Sequence, residues 1–180
     1  QVVEWHDELR IARDAYGFVM ERNPEKRRVV DVERFAAIDT GAKKNPSALC
    51  IVERVKVGAR YQWRPVVLRE RRRIKGGLPL DLRMDVLPEF AGLLKEYGCA
   101  SWWSDGWAGD AVEIVGSQNG IATKFVSTST ATRDVYEPID TALAQTPCPV
   151  ALNGCENIEA AVAQLRQVKR GNDGTAIVPH

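Results

Sequence analysis

Two aspartates, Asp39 and Asp105, are the side chains in this sequence whose type and position most suggest chemistry. Asp39 ends the apolar run 35–38 and leads into a glycine turn, and Asp105 ends the run 99–104 and precedes Gly106. A carboxylate close to an apolar core is costly unless it is paired, hydrogen-bonded or bound to a cation. The pattern therefore predicts a site for a cation that prefers oxygen ligands, Mg²⁺ or Mn²⁺.

Carboxylates are the ligands required where two divalent ions lie about 3.5 to 4 Å apart. Such a pair of ions can activate a water molecule, stabilise a pentacovalent phosphate and hold the leaving oxygen. Asp39 and Asp105 are the catalytic and metal-binding candidates, and Asp110 competes with Asp105 for the role of ligand. Each also has a simpler explanation, because Asp near Gly is common in turns and Asp110 suits the start of a helix.

The elements that carry the acids follow from apolar periodicity and turn residues. A helix is predicted over about residues 3–22, a meander of three strands follows, and helices and strands then alternate. The predicted strands cover about residues 35–39, 48–54, 63–73, 99–104, 122–126, 150–152 and 176–178, and the later helices about residues 81–97, 109–117, 133–144 and 158–168.

This order predicts an α/β protein with a mixed sheet, in which a three-strand antiparallel meander precedes parallel strands and helices cover both faces. It is the element order of the ribonuclease H-like fold. In that fold the first strand holds an Asp and the fourth strand, which lies beside it, ends in another acid; Asp39 and Asp105 occupy these positions. We expect residues 1–30 to form an N-terminal helix and linker, and residues 31–180 to form the ribonuclease H-like domain.

A narrower resemblance rests on two short segments. Residues 39–49 read Asp-Thr-Gly-Ala-Lys-Lys-Asn-Pro-Ser-Ala-Leu, and residues 103–106 read Trp-Ser-Asp-Gly. With the order of the later elements, they resemble the C-terminal nuclease domain of the large terminase subunit of tailed bacteriophages, over about residues 33–180. The family usually carries a third acid just after the last predicted strand. This sequence ends at His180, so the domain is expected to lack that extreme C-terminal motif here.

The resemblance implies a Mg²⁺- or Mn²⁺-dependent endodeoxyribonuclease, a hydrolase that cuts concatemeric double-stranded phage DNA during genome packaging. It implies that Asp39 bridges two metal ions and that Asp105 binds one of them. The implied partners are double-stranded DNA, the portal protein, the small terminase subunit and a packaging ATPase domain of the same polypeptide. The implied location is the cytoplasm of the host bacterium.

Basic residues provide candidate DNA contacts. Lys43 and Lys44 lie in the loop beside Asp39, where a phosphate would approach, and strand alternation places Arg69, Arg71 and Arg73 on one face. Contacts of this kind give salt-dependent binding that is independent of sequence. A solvated edge strand protected by charge explains the three arginines equally well.

Composition limits the remaining possibilities. The 25 basic and 24 acidic residues give a formal net charge of +1, so total charge alone demands neither a nucleic-acid nor a membrane partner. There is no apolar run long enough to span a bilayer and no signal-peptide pattern, so a soluble intracellular protein is expected. The four cysteines lack the spacing of a zinc site and are expected to be free thiols.

Two alternatives stay open at this stage. One is another ribonuclease H-like nuclease, such as a junction resolvase, which shares the metal chemistry and differs in preferring branched DNA. The other is a catalytically silent domain of this fold that binds DNA or a protein, which the missing third acid suggests. Trp102, Trp103 and Trp107 could stack on bases. Packing is the favoured role for them, because at least one of two adjacent strand residues faces the core.

Overall fold

The structure is a computed structural model of the 180-residue chain. It describes residues 32–41, 46–57, 60–72, 80–126, 138–139, 141–146 and 148–151, together with Ala163 and five short strands near the two ends of the chain.

The N-terminal region contains strands where a helix was predicted over about residues 3–22. The strands β1 (Glu4–His6), β2 (Ile11–Arg13) and β3 (Val19–Glu21) pair antiparallel as a small separate sheet. Trp5 is opposite Ala12, and Ala12 is opposite Met20. A spacing of seven or eight residues fits two helical turns and also one short strand with its turn, so apolar periodicity could not separate the two structures. The helix prediction was wrong, while the division at residue 30 stays a prediction.

The main sheet has five strands. They are β4 (Val32–Asp39), β5 (Ser47–Val57), β6 (Arg60–Arg71), β7 (Ser101–Ser104) and β8 (Ala122–Phe125). The spatial order is β6-β5-β4-β7-β8, with the first three strands antiparallel and β7 and β8 parallel to β4. This is the ribonuclease H-like order, and it confirms the predicted fold class.

Strand β4 is central, and its residues alternate between the two faces of the sheet. Ala36 and Ile38 are buried on the core face, whereas Phe35, Ala37 and Asp39 are exposed on the other face, which we call the outer face. The period of two follows from the pleat of the strand. Asp39 therefore emerges on the outer face at the carboxyl end of β4.

Two helical segments cover the core face. A single turn of π-helix (Leu82–Val86) continues directly into α1 (Leu87–Glu96), and α2 (Gly109–Gln118) links β7 to β8. The Asp81 carboxylate caps the first turn by accepting the backbone N–H groups of Arg83 and Met84. Gly98, with φ of +65°, ends α1 as predicted, since a left-handed residue closes the last turn.

The hydrophobic core lies between these helices and the sheet. Its largest fully buried side chains are Trp102 of β7 and Phe90 of α1. The Trp102 Nε1–H donates to the Thr123 hydroxyl at 2.8 Å, which satisfies the one polar group of the buried indole. α2 approaches this point closely at Gly116, where a Cβ would lie 2.8 Å from the Thr123 Oγ1 and 2.9 Å from the Ile121 carbonyl oxygen.

The second layer of predicted helices is described only in part. Residues 138–139 and 141–143 are helical within the predicted helix 133–144, and Ala163 is helical within the predicted helix 158–168. The rest of both segments lies outside the described residues. Val150 forms a parallel bridge with Trp63 on the free edge of β6, where the sequence predicts a short strand.

The last predicted strand pairs away from the main sheet. Strand β10 (Ala176–Ile177) lies antiparallel to β9 (Lys169–Arg170) in a two-stranded sheet. It is therefore not an edge of the five-stranded sheet. Asp173, between these strands, lies outside the described residues.

A charged cluster is buried at the end of the sheet opposite Asp39. Arg34 Nε donates to Glu53 Oε1 at 2.9 Å, and the Glu53 side chain is only 1% exposed. The Cys99 thiol lies close by. Burial raises its pKa, the nearby Arg34 charge partly opposes this, and the Glu53 charge adds to it. None of Cys50, Cys99 and Cys148 is in a disulfide bond, and of these three only Cys99 is buried. Cys155 lies outside the described residues.

Among the described residues, no helix is both long and apolar enough to cross a membrane.

Candidate active site

The register of two parallel strands brings the two predicted acids together. Ile38 of β4 is directly beside Ser104 of β7, so the next residues, Asp39 and Asp105, end neighbouring strands at the same edge of the sheet. Neighbouring strands lie about 4.8 Å apart. Ile38 and Ser104 are both buried on the core face, so alternation sends Asp39 and Asp105 toward the outer face. Both aspartates are exposed there.

The electrostatics of Asp39 reflect this arrangement. Although its side chain reaches water, the surrounding protein disfavours the charged form, and this desolvation is the larger cause of a raised pKa for the Asp39 carboxyl. The negative charge of Asp105 is the second cause. Within the described residues, neither carboxylate forms an ion pair with a basic side chain. Among the described side chains, the site is thus a like-charged pair without a compensating cation.

A tight turn after β7 fixes the position of Asp105. Its Oδ1 accepts the Trp107 N–H at 2.9 Å, which closes an Asx turn. Gly106 and Ala108 both adopt the left-handed region, with φ of +86° and +54°. Ala108 is the one described non-glycine residue with positive φ, a conformation that costs energy for an L residue. Strained backbone therefore lies beside the acid pair.

A long-range hydrogen bond joins the two loops that carry the acids. The hydroxyl of Thr40, the residue after Asp39, donates to the Trp107 carbonyl oxygen at 2.8 Å across a sequence separation of 67 residues. Thr40 is buried, and so is Ser47, whose hydroxyl accepts the Gly41 N–H at 3.1 Å. These bonds hold both loops against the same sheet edge. The sequence gives no signal for Thr40 beyond its adjacency to Asp39, and it suggested base stacking or packing for Trp107 rather than this carbonyl contact.

The donor set suits a hard divalent cation. Mg²⁺ is commonly held by one or two carboxylates, with water and substrate phosphate completing its coordination. Asp39 and Asp105 supply two carboxylates on one face, and a cation between them would relieve their mutual repulsion. The described residues contain no group of three or more potential metal ligands. Asp39 and Asp105 are the candidate ligands for such a cation.

The competing acids have other positions. Asp110 lies in the first turn of α2 and is exposed, which suits the positive end of the helix dipole. Asp85 is also exposed, and its Oδ2 accepts the Asp81 N–H at 2.9 Å. Asp85 thus has a local structural role.

The basic residues predicted to bind DNA divide into two groups. Arg69 Nε donates to Glu89 Oε1 on α1 at 2.9 Å, and Arg71 forms an ion pair with Glu89 Oε2, with its Nε at 2.8 Å. Arg69 is opposite Leu49 and Arg71 is opposite Ser47, so both lie on the core face, away from Asp39. Their first role is to join β6 to α1, and DNA binding by them stays a prediction. Lys43, Lys44 and Arg73 lie outside the described residues.

No protein-family model matches the sequence, and no curated protein matches it significantly. Among solved structures, the chain is similar to the nuclease domain of the P22 large terminase, with a TM-score of 0.55 and 9% sequence identity over 82% of this chain and 74% of that one.

Two further likenesses score lower. The large terminase nuclease from the thermophilic phage G20c gives a TM-score of 0.49 at 18% identity, covering 82% of this chain and 72% of that one. The RuvC structure from Thermus thermophilus gives 0.37 at 18% identity, covering 62% of this chain and 68% of that one. Of these three likenesses, the one to the P22 domain has a TM-score above 0.5.

Strand order and acid placement define a ribonuclease H-like domain with two carboxylates on adjacent parallel strands. More narrowly, the fold is the one found in the nuclease domain of a phage large terminase. The resemblance drawn from residues 39–49 and 103–106 is thus confirmed at the level of fold.

Proposed function

We propose that the chain is a metal-dependent endonuclease domain that cuts concatemeric double-stranded phage DNA during genome packaging. The observation that carries the proposal is the pairing of Asp39 and Asp105 at the carboxyl ends of adjacent parallel strands, on one exposed face. The likeness of the fold to the P22 domain supports the choice of nuclease over other phosphate chemistry.

In this proposal, Asp39 and Asp105 together bind the metal ions. Asp39, on the central strand, and Asp105, fixed by its turn, would hold one or two Mg²⁺ or Mn²⁺ ions between them. When bound, the ions supply a water of lowered pKa and neutralise charge on the phosphate. The hydrogen bond from Thr40 to Trp107 would keep the two carboxylates in register, because it joins the loops that carry them. Such positioning matters, since a site of this kind tolerates little displacement of its ligands.

The wider role is also part of the proposal. A nuclease acting in packaging would work in the cytoplasm of the host bacterium, with double-stranded DNA, the portal protein and the small terminase subunit as partners. A packaging ATPase domain on the same polypeptide would move the DNA. The proposed phosphate contacts remain Lys43, Lys44 and Arg73. Arg69 and Arg71 could contact DNA only after leaving their ion pairs with Glu89.

Cleavage of supercoiled plasmid in Mn²⁺ tests the proposal. The wild-type protein is expected to nick and linearise the plasmid, whereas Asp39→Asn and Asp105→Asn each reduce the rate by at least about 100-fold, because a ligand acting in the transition state is lost. Asp110→Asn is the matched control: it removes a nearby carboxylate and is expected to leave the rate within about threefold.

The outcomes separate the candidate functions. Full activity of Asp39→Asn would remove this residue from the mechanism, and loss of activity in Asp110→Asn alone would move the site into α2. If the wild type binds DNA but cuts it in neither Mg²⁺ nor Mn²⁺, the result would favour the alternative of a catalytically silent DNA-binding domain. A strong preference for a four-way junction over linear duplex would favour the junction resolvase.

A further inference from the structure

Trp103 is an exposed indole on the outer face, immediately next to the acid pair. It precedes Asp105 by two residues on β7, so the two side chains share a face, and it lies directly beside Ala37 of β4. Its side chain is 40% exposed, whereas the adjacent Trp102 is fully buried. Ala37, its neighbour on β4, carries only a methyl group. Leaving so large an apolar surface in water is unfavourable by about 25 cal/mol per Å².

A cation accompanies the exposed ring. Lys124 of β8 is directly opposite Trp103, and its Nζ lies 5.5 Å from the ring centroid, within the range of a cation–π contact. Among the described residues, Lys124 has no acidic partner. Trp103 and Lys124 thus form a flat apolar surface with a positive group at its edge, which we call the Trp103–Lys124 subsite.

The other aromatic cluster on the outer face is different in this respect. Around Arg54, at the far end of the sheet, the rings of Phe35, Tyr61 and Trp63 lie 4.7 to 5.4 Å from the guanidinium. Arg54 also forms an ion pair with Glu33. That cation is already neutralised, so the cluster has less to offer a charged ligand.

The spacing relates the subsite to the acids. Two strand residues span about 6.6 Å, while bases of one DNA strand rise about 3.4 Å each. Consider a DNA strand that runs along β7 with one phosphate at Asp39 and Asp105. The nucleotide roughly two positions from that phosphate would then lie over Trp103. A phosphate of the same strand would then be within reach of Lys124.

We infer that Trp103 and Lys124 form a binding subsite for one nucleic-acid strand beside the acid pair, with the indole stacking on an unpaired base and the ammonium binding a phosphate. The inference rests on the proposed nuclease function and deepens it. Bases inside an intact duplex offer no free face, so the favoured substrate has a locally unpaired stretch about two nucleotides from the phosphate that is cut. Unstacking is cheapest where pairing is already broken.

Binding to two labelled duplexes tests the inference. One is fully paired, and the other has the same sequence with a short mismatched stretch; both are titrated with protein carrying Asp39→Asn, so that cleavage cannot interfere. In this background, Trp103→Ala is expected to weaken binding of the mismatched duplex by roughly 5- to 100-fold, because stacking is lost. Its effect on the paired duplex is expected to be small, and Trp103→Phe should restore most of the affinity.

The lysine has a separate signature. Lys124→Ala is expected to weaken both duplexes alike and to lower the slope of log affinity against log salt by about 1, as loss of one phosphate contact requires. The matched controls are Lys56→Ala and Tyr61→Ala, at exposed positions on the same face roughly 25 Å from the acids. Neither should change affinity by more than about twofold.

Failure of the inference differs from failure of the proposed function. If the Asp39→Asn protein binds both duplexes and neither Trp103→Ala nor Lys124→Ala changes the affinity, Trp103 and Lys124 only pack against each other and the subsite is rejected, while the nuclease proposal stands. If the protein binds neither duplex and the wild type cuts no DNA, both fail. Weaker binding accompanied by a lowered melting temperature in Trp103→Phe as well as Trp103→Ala would assign Trp103 to the fold and overturn the subsite.

Discussion

Replacing Asp39 with Asn should make the folded protein more stable at neutral pH. Partial desolvation of the carboxyl group by the surrounding protein and the nearby Asp105 charge raise the pKa of Asp39 above its ordinary value of 3.8, so the folded chain binds this proton more tightly than the unfolded chain does. At pH 7 the charged form is present in both states and opposes folding. Asn has nearly the same shape without the charge.

The size of the effect follows from the strand geometry. Two unit charges about 5 Å apart repel by about 0.8 kcal/mol in bulk water and by about 3 kcal/mol at an effective dielectric constant of 20. Asp39 is exposed, so the lower figure applies. We expect Asp39→Asn to raise the free energy of unfolding by about 1 kcal/mol at pH 7, or the melting temperature by about 2 to 4 °C for a chain of this length.

The pH dependence has a definite sign. The favourable contribution of protonated Asp39 is fully present below pH 3.8 and is lost as the pH rises through the raised pKa of the folded protein. Wild type and Asp39→Asn should therefore be similar in stability at acid pH, and the variant should gain as the pH approaches 7. Thermal denaturation followed by circular dichroism at several pH values measures this difference.

Divalent cations should reverse the order. If Mg²⁺ is added at about 10 times its dissociation constant, it stabilises the wild type by about 1.4 kcal/mol. The variant lacks one ligand, so Mg²⁺ stabilises it by much less. Asp105→Asn should behave like Asp39→Asn, and the double variant should gain less than the sum, because both remove the same repulsion. A variant that is no more stable than wild type at pH 7, and equally stabilised by Mg²⁺, would refute the coupled carboxylate pair.

Three further predictions concern the stability of the fold and the support of the site. Gly116→Ala should lower the free energy of unfolding by about 1 to 3 kcal/mol, since the new Cβ would lie 2.9 Å from a backbone carbonyl oxygen. The control Gly92→Ala has open space around it in α1 and should raise the free energy of unfolding by about 0.5 to 1 kcal/mol. Urea denaturation measures both changes. Glu53→Ala should cost about 3 kcal/mol by leaving a charged partner within the protein, while Glu33→Ala, in an exposed ion pair, should cost less than about 1 kcal/mol by the same assay. Thr40→Val should cost about 1 kcal/mol and reduce plasmid cleavage more than this loss of stability explains, because the bond between the two acid loops is broken; unchanged cleavage would show that the bond does not position the acids.

Much of the architecture could be predicted because it depends on local patterns. Alternating burial in β4, the helical spacing from Leu82 to Leu94 and the stop at Gly98 are written in short stretches of sequence. The order of these elements restricts the sheet to few topologies, and this is why Asp39 and Asp105 could be paired across 65 intervening positions.

The N-terminal segment shows where local pattern fails. A recurrence of seven or eight residues fits a helix and also three short strands, and the choice was made by pairing between β1, β2 and β3. The sequence likewise placed Arg69 and Arg71 on one face without saying which. Glu89 lies on α1, which follows β6 in the sequence. The ion pairs of Arg69 and Arg71 with Glu89 show that the two arginines lie on the core face.

The sequence by itself thus determined the elements and the two acids that end neighbouring strands. Only the tertiary structure decided that Trp102 is buried while Trp103 faces solvent, and that Thr40 bonds to the Trp107 carbonyl oxygen. The physical reason is that strand alternation and helix periodicity are properties of a short piece of chain, whereas burial, long-range hydrogen bonds and charge partners depend on which surfaces meet when the chain is packed.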